Sequence, residues 1–129
     1  MSGDHAEIAA ILDTYFDGFY EGDIDKLKSV FHPNCHLYNA MAGDVTDDDM
    51  EAVYARVSGR VRPSVRGDAK EDGILTIDQS APECAFAKVY ICLGDRHFTD
   101  YLTLLKIDGA WRIIGKTFTG IEREGTLPL

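Results

Sequence analysis

The chain has 129 residues, 45% of them hydrophobic and 27% charged, and a formal net charge of -9 at pH 7. That length predicts a single domain, residues 1–129, with its own core. The acidic balance argues against non-specific binding to nucleic acid or anionic membranes, which need clustered positive charge. No apolar run nears the ~20 residues of a membrane span, and the start, MSGDHAEIAAILDTYF, lacks a secretion signal's basic and apolar regions. A cytoplasmic location is expected.

In chain order, Asp4 and Glu7 form a capping-box pattern at the start of a helix. Ile8, Ile11, Leu12, Tyr15 and Phe19 give it one apolar face, and Gly22 ends it. Asp23 starts a second helix that turns Ile24, Leu27, Val30 and Phe31 inward and stops before Pro33. The alternation in CHLYNAM reads as a strand with Cys35, Leu37, Asn39 and Met41 on one side and His36, Tyr38 and Ala40 on the other. TDDDMEAVYARVSG reads as a third helix, with Thr46 and Asp49 as its capping box, its acids in the first turn, and a stripe of Met50, Val53, Tyr54 and Val57. RVRPSVRGDAKEDG is a polar loop.

Four strands follow, ILTID, CAFAKVYICL, HFTDYLTLLKI and WRIIGKTFTGI, with short turn-like separators such as Asp108-Gly109. Short turns make neighbours antiparallel. The expected class is α+β: N-terminal helices packed on a strongly curved, mostly antiparallel sheet that encloses a concave space. Cys35, Cys84 and Cys92 show no ligand spacing and read as reduced core residues. The four scattered histidines give no metal-binding pattern.

Several pieces in combination resemble the nuclear transport factor 2-like (NTF2-like) superfamily. They are Tyr15-Phe16-Asp17-Gly18 before Gly22-Asp23, Phe31-His32-Pro33, Phe98-Thr99-Asp100-Tyr101-Leu102, and Trp111-Arg112-Ile113. The resemblance runs from about Glu7 to Phe118 and is strongest to the branch labelled "putative lumazine-binding". It implies a cone-shaped α+β roll with an internal cavity, usually a homodimer through the outer sheet face. It does not set an activity, because this fold hosts isomerases, dehydratases, cyclases, binders and interaction domains. The ketosteroid isomerases among these relatives use a helix-one tyrosine, a carboxylate base on the first strand and a protonated aspartic acid on a later strand. The resemblance puts the tyrosine at Tyr15, the base at Asn39, which cannot take a proton, and the acid at approximately Thr103.

Seven residues form the expected ligand site: Tyr15, Phe19, Asn39, Tyr54, Tyr101, Thr103 and Lys116. Tyr15 reads equally as a ligand donor or a core aromatic, and Asn39 as a ligand contact or a structural amide. Thr103 shares strand parity with Tyr101 and Leu105, whereas Asp100 and Lys106 fall with Leu102 and Leu104 and are expected to face solvent or a dimer partner. Lys116 either points inward toward an anion or snorkels to the rim. Arg56, Arg60, Arg62 and Arg66 are the one basic cluster, either a solvated loop or a carboxylate clamp. The expected function is binding of a small, partly aromatic molecule, with no resident cofactor or metal. A cofactor-free isomerase or lyase, or an interaction module with a filled core, is the alternative.

Overall fold

The computed structural model describes residues 2–123. Helix α1 (Ser2–Glu21) carries Ile8, Leu12, Tyr15, Phe16 and Phe19 into the core. Gly22, at φ 62°, turns the chain out of α1, and Asp23 caps α2 (Ile24–Val30) by accepting a hydrogen bond from Lys26 N at 3.2 Å. The two helices meet where α1 presents Gly18. A Cβ at that position would lie 2.6 Å from Leu27 Cδ2, so glycine permits the approach.

Strand β1 (Phe31–Asn39) begins directly after α2, and its pairing with the last strand is irregular between Phe31 and His36, the stretch that holds Pro33. The next segment corrects the sequence reading. Thr46–Asp49 is not the first turn of a helix but a short edge strand, β2, antiparallel to β1. Helix α3 (Met50–Ser58) starts after it, capped by Asp49, whose carboxylate accepts from Ala52 N at 2.9 Å. The acids have separate tasks: Asp47 meets His36 Nδ1 at 2.6 Å, Asp48 meets Arg56 Nη1 at 3.0 Å, and Asp49 caps the helix. Pro63–Arg66 forms a single helical turn, α4, within the expected loop.

The remaining strands are β3 (Glu71–Ala81), β4 (Cys84–Leu93), β5 (Arg96–Ile107) and β6 (Ala110–Glu122). The six-stranded sheet has the order β2-β1-β6-β5-β4-β3; β1 and β6 are parallel and all other pairs antiparallel. Asp108 and Gly109 both take positive φ (51° and 81°) between β5 and β6, as a tight hairpin turn requires. The helices close over one face of the sheet, and the apolar core lies between them. The fold is an α+β cone, the architecture that the resemblance implies.

One irregularity decides which side chains enter the core. Leu104 pairs with Ile113 and Thr103 with Gly115, so Ile114 is an extra residue in β6, a β-bulge. Strict alternation separates Lys116 from Trp111 and Ile113. The bulge shifts the phase by one residue and brings all three to the inner face, where Trp111 and Ile113 are buried and Lys116 is 7% exposed. On β5 the expected facing is reversed. Asp100, Leu102 and Leu104 are fully buried, while Tyr101 and Thr103 are exposed on the outer face. Hydropathy assigns an aspartate to solvent; here two inner side chains hold it in place of water. Cys84 is likewise exposed, while Cys35 and Cys92 are buried thiols.

Asp4 has a different task from helix capping. Its carboxylate accepts from Gln79 Nε2 (3.0 Å), Lys106 Nζ (3.0 Å) and Trp111 Nε1 (3.3 Å), tying α1 to β3, β5 and β6. These hydrogen bonds hold its pKa down from 3.8 to about 2. A depressed carboxylate stabilises the fold above its unfolded pKa, and that contribution is lost as pH falls through the folded value. Asp4→Asn is therefore expected to melt below the wild type near neutral pH, with the gap shrinking between about pH 4 and pH 2. Thermal melts across that range check this; a gap independent of pH would contradict it.

Candidate functional site

A cleft of about 300 Å³ opens between α3, the ends of β1 and β2, and the inner faces of β4, β5 and β6. Leu37, Val53, Val57, Ile91, Phe98 and Phe118 form its apolar walls. Asp48, Arg56 and Arg60 stand among its polar lining residues, and Asp100 and Lys116 are the buried ones.

Asp100 and Lys116 come from neighbouring strands. Lys116 Nζ lies 3.6 Å from Asp100 Oδ2, and the Tyr15 hydroxyl donates to the same oxygen at 2.5 Å. The ammonium also sits over three rings, with centroid distances of 4.6 Å to Phe19, 4.9 Å to Phe118 and 5.1 Å to Tyr15. Burial pushes the Lys116 pKa down, against the pull of the Asp100 carboxylate. Burial, then the Asp100 charge, pushes the Tyr15 phenol well above its ordinary value, so it stays a neutral donor. Cys35, nearby, is pushed up to about 12 by burial and remains a thiol.

The other carboxylate oxygen is the informative atom. Asp100 Oδ1 is buried and has no hydrogen-bond partner among the described residues. A buried acceptor without a donor carries a desolvation cost of about 1–3 kcal/mol. It belongs to a residue that lines the cleft, so a donor on a bound molecule is the natural partner.

Of the seven residues expected from sequence, the cleft is lined by Phe19, Asn39 and Lys116. Asn39 accepts from Met41 N through its side-chain oxygen at 3.1 Å, while its amide nitrogen makes no protein hydrogen bond among the described residues. Tyr15 stands behind the cleft, fully buried, and acts on it through Asp100. Tyr54 is half-buried beside Lys28, whose Nζ is 5.5 Å from the ring centroid, and it is not part of the lining. Tyr101 and Thr103 lie on the outer sheet face, with Tyr101 stacked on Phe86 at 6.3 Å. The role that the resemblance put at Thr103 therefore falls outside the cleft, and the carboxyl group that meets Tyr15 is that of Asp100. Sequence reasoning passed over Asp100; the available signal was its phase with Leu102 and Leu104.

The mouth carries unequal cations. Arg56 is paired with Asp48, whereas Arg60 has no carboxylate partner among the described residues. Desolvation, then the nearby Arg56 and Arg66, lowers the Arg60 pKa. Among the described residues no group of three or more His, Cys, Asp or Glu is placed to hold a metal ion. No helix among them is long and apolar enough to cross a membrane.

The buried pair gives a direct expectation. Removing one member of a buried, hydrogen-bonded ion pair costs about 3–5 kcal/mol, because it strands the other charge. Lys116→Met and Asp100→Asn are each expected to destabilise the fold, and the double variant to cost less than the sum. Denaturant unfolding of all four proteins measures the coupling; strict additivity would mean that the two groups do not interact.

Residues 3–119 match the family described as "Putative lumazine-binding". Aldolase FrzH from Cladobotryum sp is 23% identical over 124 residues, covering 95% of each chain. Among solved structures, an NTF2-like protein of unknown function from Shewanella baltica superposes with a TM-score of 0.84 at 19% identity, over 93% of this chain and 95% of that one. A ketosteroid isomerase-like protein from Erwinia carotovora atroseptica superposes with a TM-score of 0.71 at 17% identity, over 91% and 95%.

Proposed function

Because the chain belongs to the family described as "Putative lumazine-binding", we propose that its cleft takes up one small, flat heteroaromatic molecule of the pteridine type. The observation that carries this reading is the unpartnered Asp100 Oδ1 beside Lys116. The two present an acceptor and a donor side by side. A lactam edge on a heteroaromatic ring, N–H next to C=O, is complementary to that arrangement. The apolar walls suit the ring faces, and the free Asn39 amide nitrogen offers a further donor. Arg60 at the mouth favours an electron-rich or anionic substituent. The volume, about 300 Å³, is at the small end of ligand pockets and matches one bicyclic ring better than a large cofactor.

Lumazine itself is expected to bind with micromolar affinity, about -8 kcal/mol. Tyr15→Phe should weaken binding by about 0.5–1.5 kcal/mol by loosening Asp100, and Asn39→Leu should weaken it further. Titration calorimetry on the three proteins tests this. Absence of binding to the wild type contradicts the reading, and equal affinities in all three would move the site toward Arg56–Arg66.

A second reading, a cofactor-free isomerase or lyase, is favoured by Lys116 and Asp100, an amine and a carboxylate poised for proton transfer inside the cleft. The relative named Aldolase FrzH is consistent with it. Asn39 supplies no base, and the other lining carboxylate, Asp48, is paired with Arg56, so we assign such chemistry to the Lys116–Asp100 pair.

We also propose a two-fold dimer through the outer sheet face, where Tyr38, Tyr101 and Ile121 leave 38%, 41% and 51% of their surface exposed. Sedimentation velocity at micromolar concentration should report a dimer that Tyr101→Glu weakens. A monomeric wild type would contradict this assembly.

A further inference from the structure

We propose that Lys116 is a nucleophilic amine that condenses with an aldehyde or ketone held in the cleft, forming a Schiff base. The proposal rests on the reading that the cleft takes up a small molecule, and goes beyond it by assigning covalent chemistry to one atom.

Three observations carry it. First, Lys116 is the only lysine among the described residues of the cleft lining; the other cations there, Arg56 and Arg60, are guanidinium groups that do not attack carbonyls. Second, Lys116 is 7% exposed, and its withdrawal from water favours the neutral, reactive amine against the pull of Asp100 and of the three ring faces; the downward shift of its pKa agrees. Third, Asp100 sits 3.6 Å away with one oxygen free of partners among the described residues, ready to take a proton and give it back. Tyr15, hydrogen-bonded to Oδ2, holds the carboxylate in place for this exchange.

The step balances without any outside reagent. The Lys116 ammonium passes one proton to the Asp100 carboxylate. The neutral amine attacks the carbonyl carbon; the C–N bond forms and the C=O π pair moves to oxygen. That oxygen takes a second proton from the nitrogen. Asp100 then returns its proton to the hydroxyl, the C–O bond breaks, and water leaves. The product is a protonated imine carrying one positive charge, the same charge that the ammonium carried, so the pairing with Asp100 is preserved. Substrates are carbonyl compounds small enough for about 300 Å³ and largely apolar, because Leu37, Val53, Ile91 and Phe118 line the same cleft.

The test is reductive trapping. The wild-type protein is incubated with cyclohexanone or butanal and sodium cyanoborohydride at neutral pH, then analysed by intact mass and peptide mapping. The expected result is a single early adduct on Lys116, formed about tenfold or more faster than on the exposed Lys28. Asp100→Asn should slow this adduct about a hundredfold, and lumazine should protect Lys116 by competition. Mapping on the unmodified chain needs no variant to fold, so the test does not depend on Lys116→Arg being stable. Lumazine binding by calorimetry with no preference for Lys116 would overturn the amine's role and leave the ligand site standing. A Lys116 adduct without lumazine binding would support the amine and refute the pteridine ligand. Uniform labelling of exposed lysines with no lumazine binding would overturn both.

Discussion

An ion pair inside an apolar cone is the constraint around which this molecule is arranged. Asp100 and Lys116 are both withdrawn from water, at a cost that is repaid only by good geometry and full hydrogen bonding. The repayment here is partial. Lys116 and Tyr15 both serve Asp100 Oδ2, and three aromatic faces stabilise the ammonium, yet Oδ1 has no partner among the described residues. A core selected for stability alone would have filled these positions with aliphatic side chains of similar volume. Retaining a half-satisfied pair at the inner end of a cleft fits a site whose last partner arrives with the ligand.

The backbone makes this placement possible. If Ile114 were paired in strict alternation instead of bulging out, the phase that buries Trp111 and Ile113 would turn Lys116 to the outer face of the sheet. The bulge lets one strand contribute first to the core and then, beyond the break, to the cleft. Gly115 follows it, and a Cβ there would come within 2.7 Å of Thr103 Oγ1 on the outer face. Thr103, which lies outside the cleft, thus packs over the break that positions Lys116. The Asp4 cluster acts at the other end of the cone: it fastens the start of α1 to the strands, so the helix bearing Tyr15 and Phe19 lies in a set position over Asp100 and Lys116.

Local signals made the architecture legible. The apolar spacing in α1, the glycine after it, the Asp23 cap and the Asp108-Gly109 hairpin each act within a few residues, and the structure contains them all. What escaped depends on partners distant in sequence. Asp47, Asp48 and Asp49 read as a helix start because acids favour that position; instead Asp47 and Asp48 sit on a short strand and pair with His36 and Arg56, and Asp49 alone caps the helix. Asp4 looked like a cap because its partners, 75 to 107 residues away, cannot be seen from its neighbours. On β5 both faces alternate plausibly. The rule that charges face water chose the wrong one, because the residues that compensate Asp100 lie on α1 and β6. Lys116 stood open between two orientations, and a one-residue bulge, for which alternation has no signal, settles it.

The central claim is that Lys116 is buried and that its desolvation outweighs the attraction of Asp100. Nitrogen-15 labelling of lysine side chains, with amine resonances followed by NMR from neutral to alkaline pH and Lys116 assigned by comparison with Lys116→Arg, tests it most directly. The account predicts one amine, that of Lys116, titrating clearly below the ordinary lysine value of 10.5. A Lys116 amine that titrates together with the exposed lysines, or above them, would contradict it.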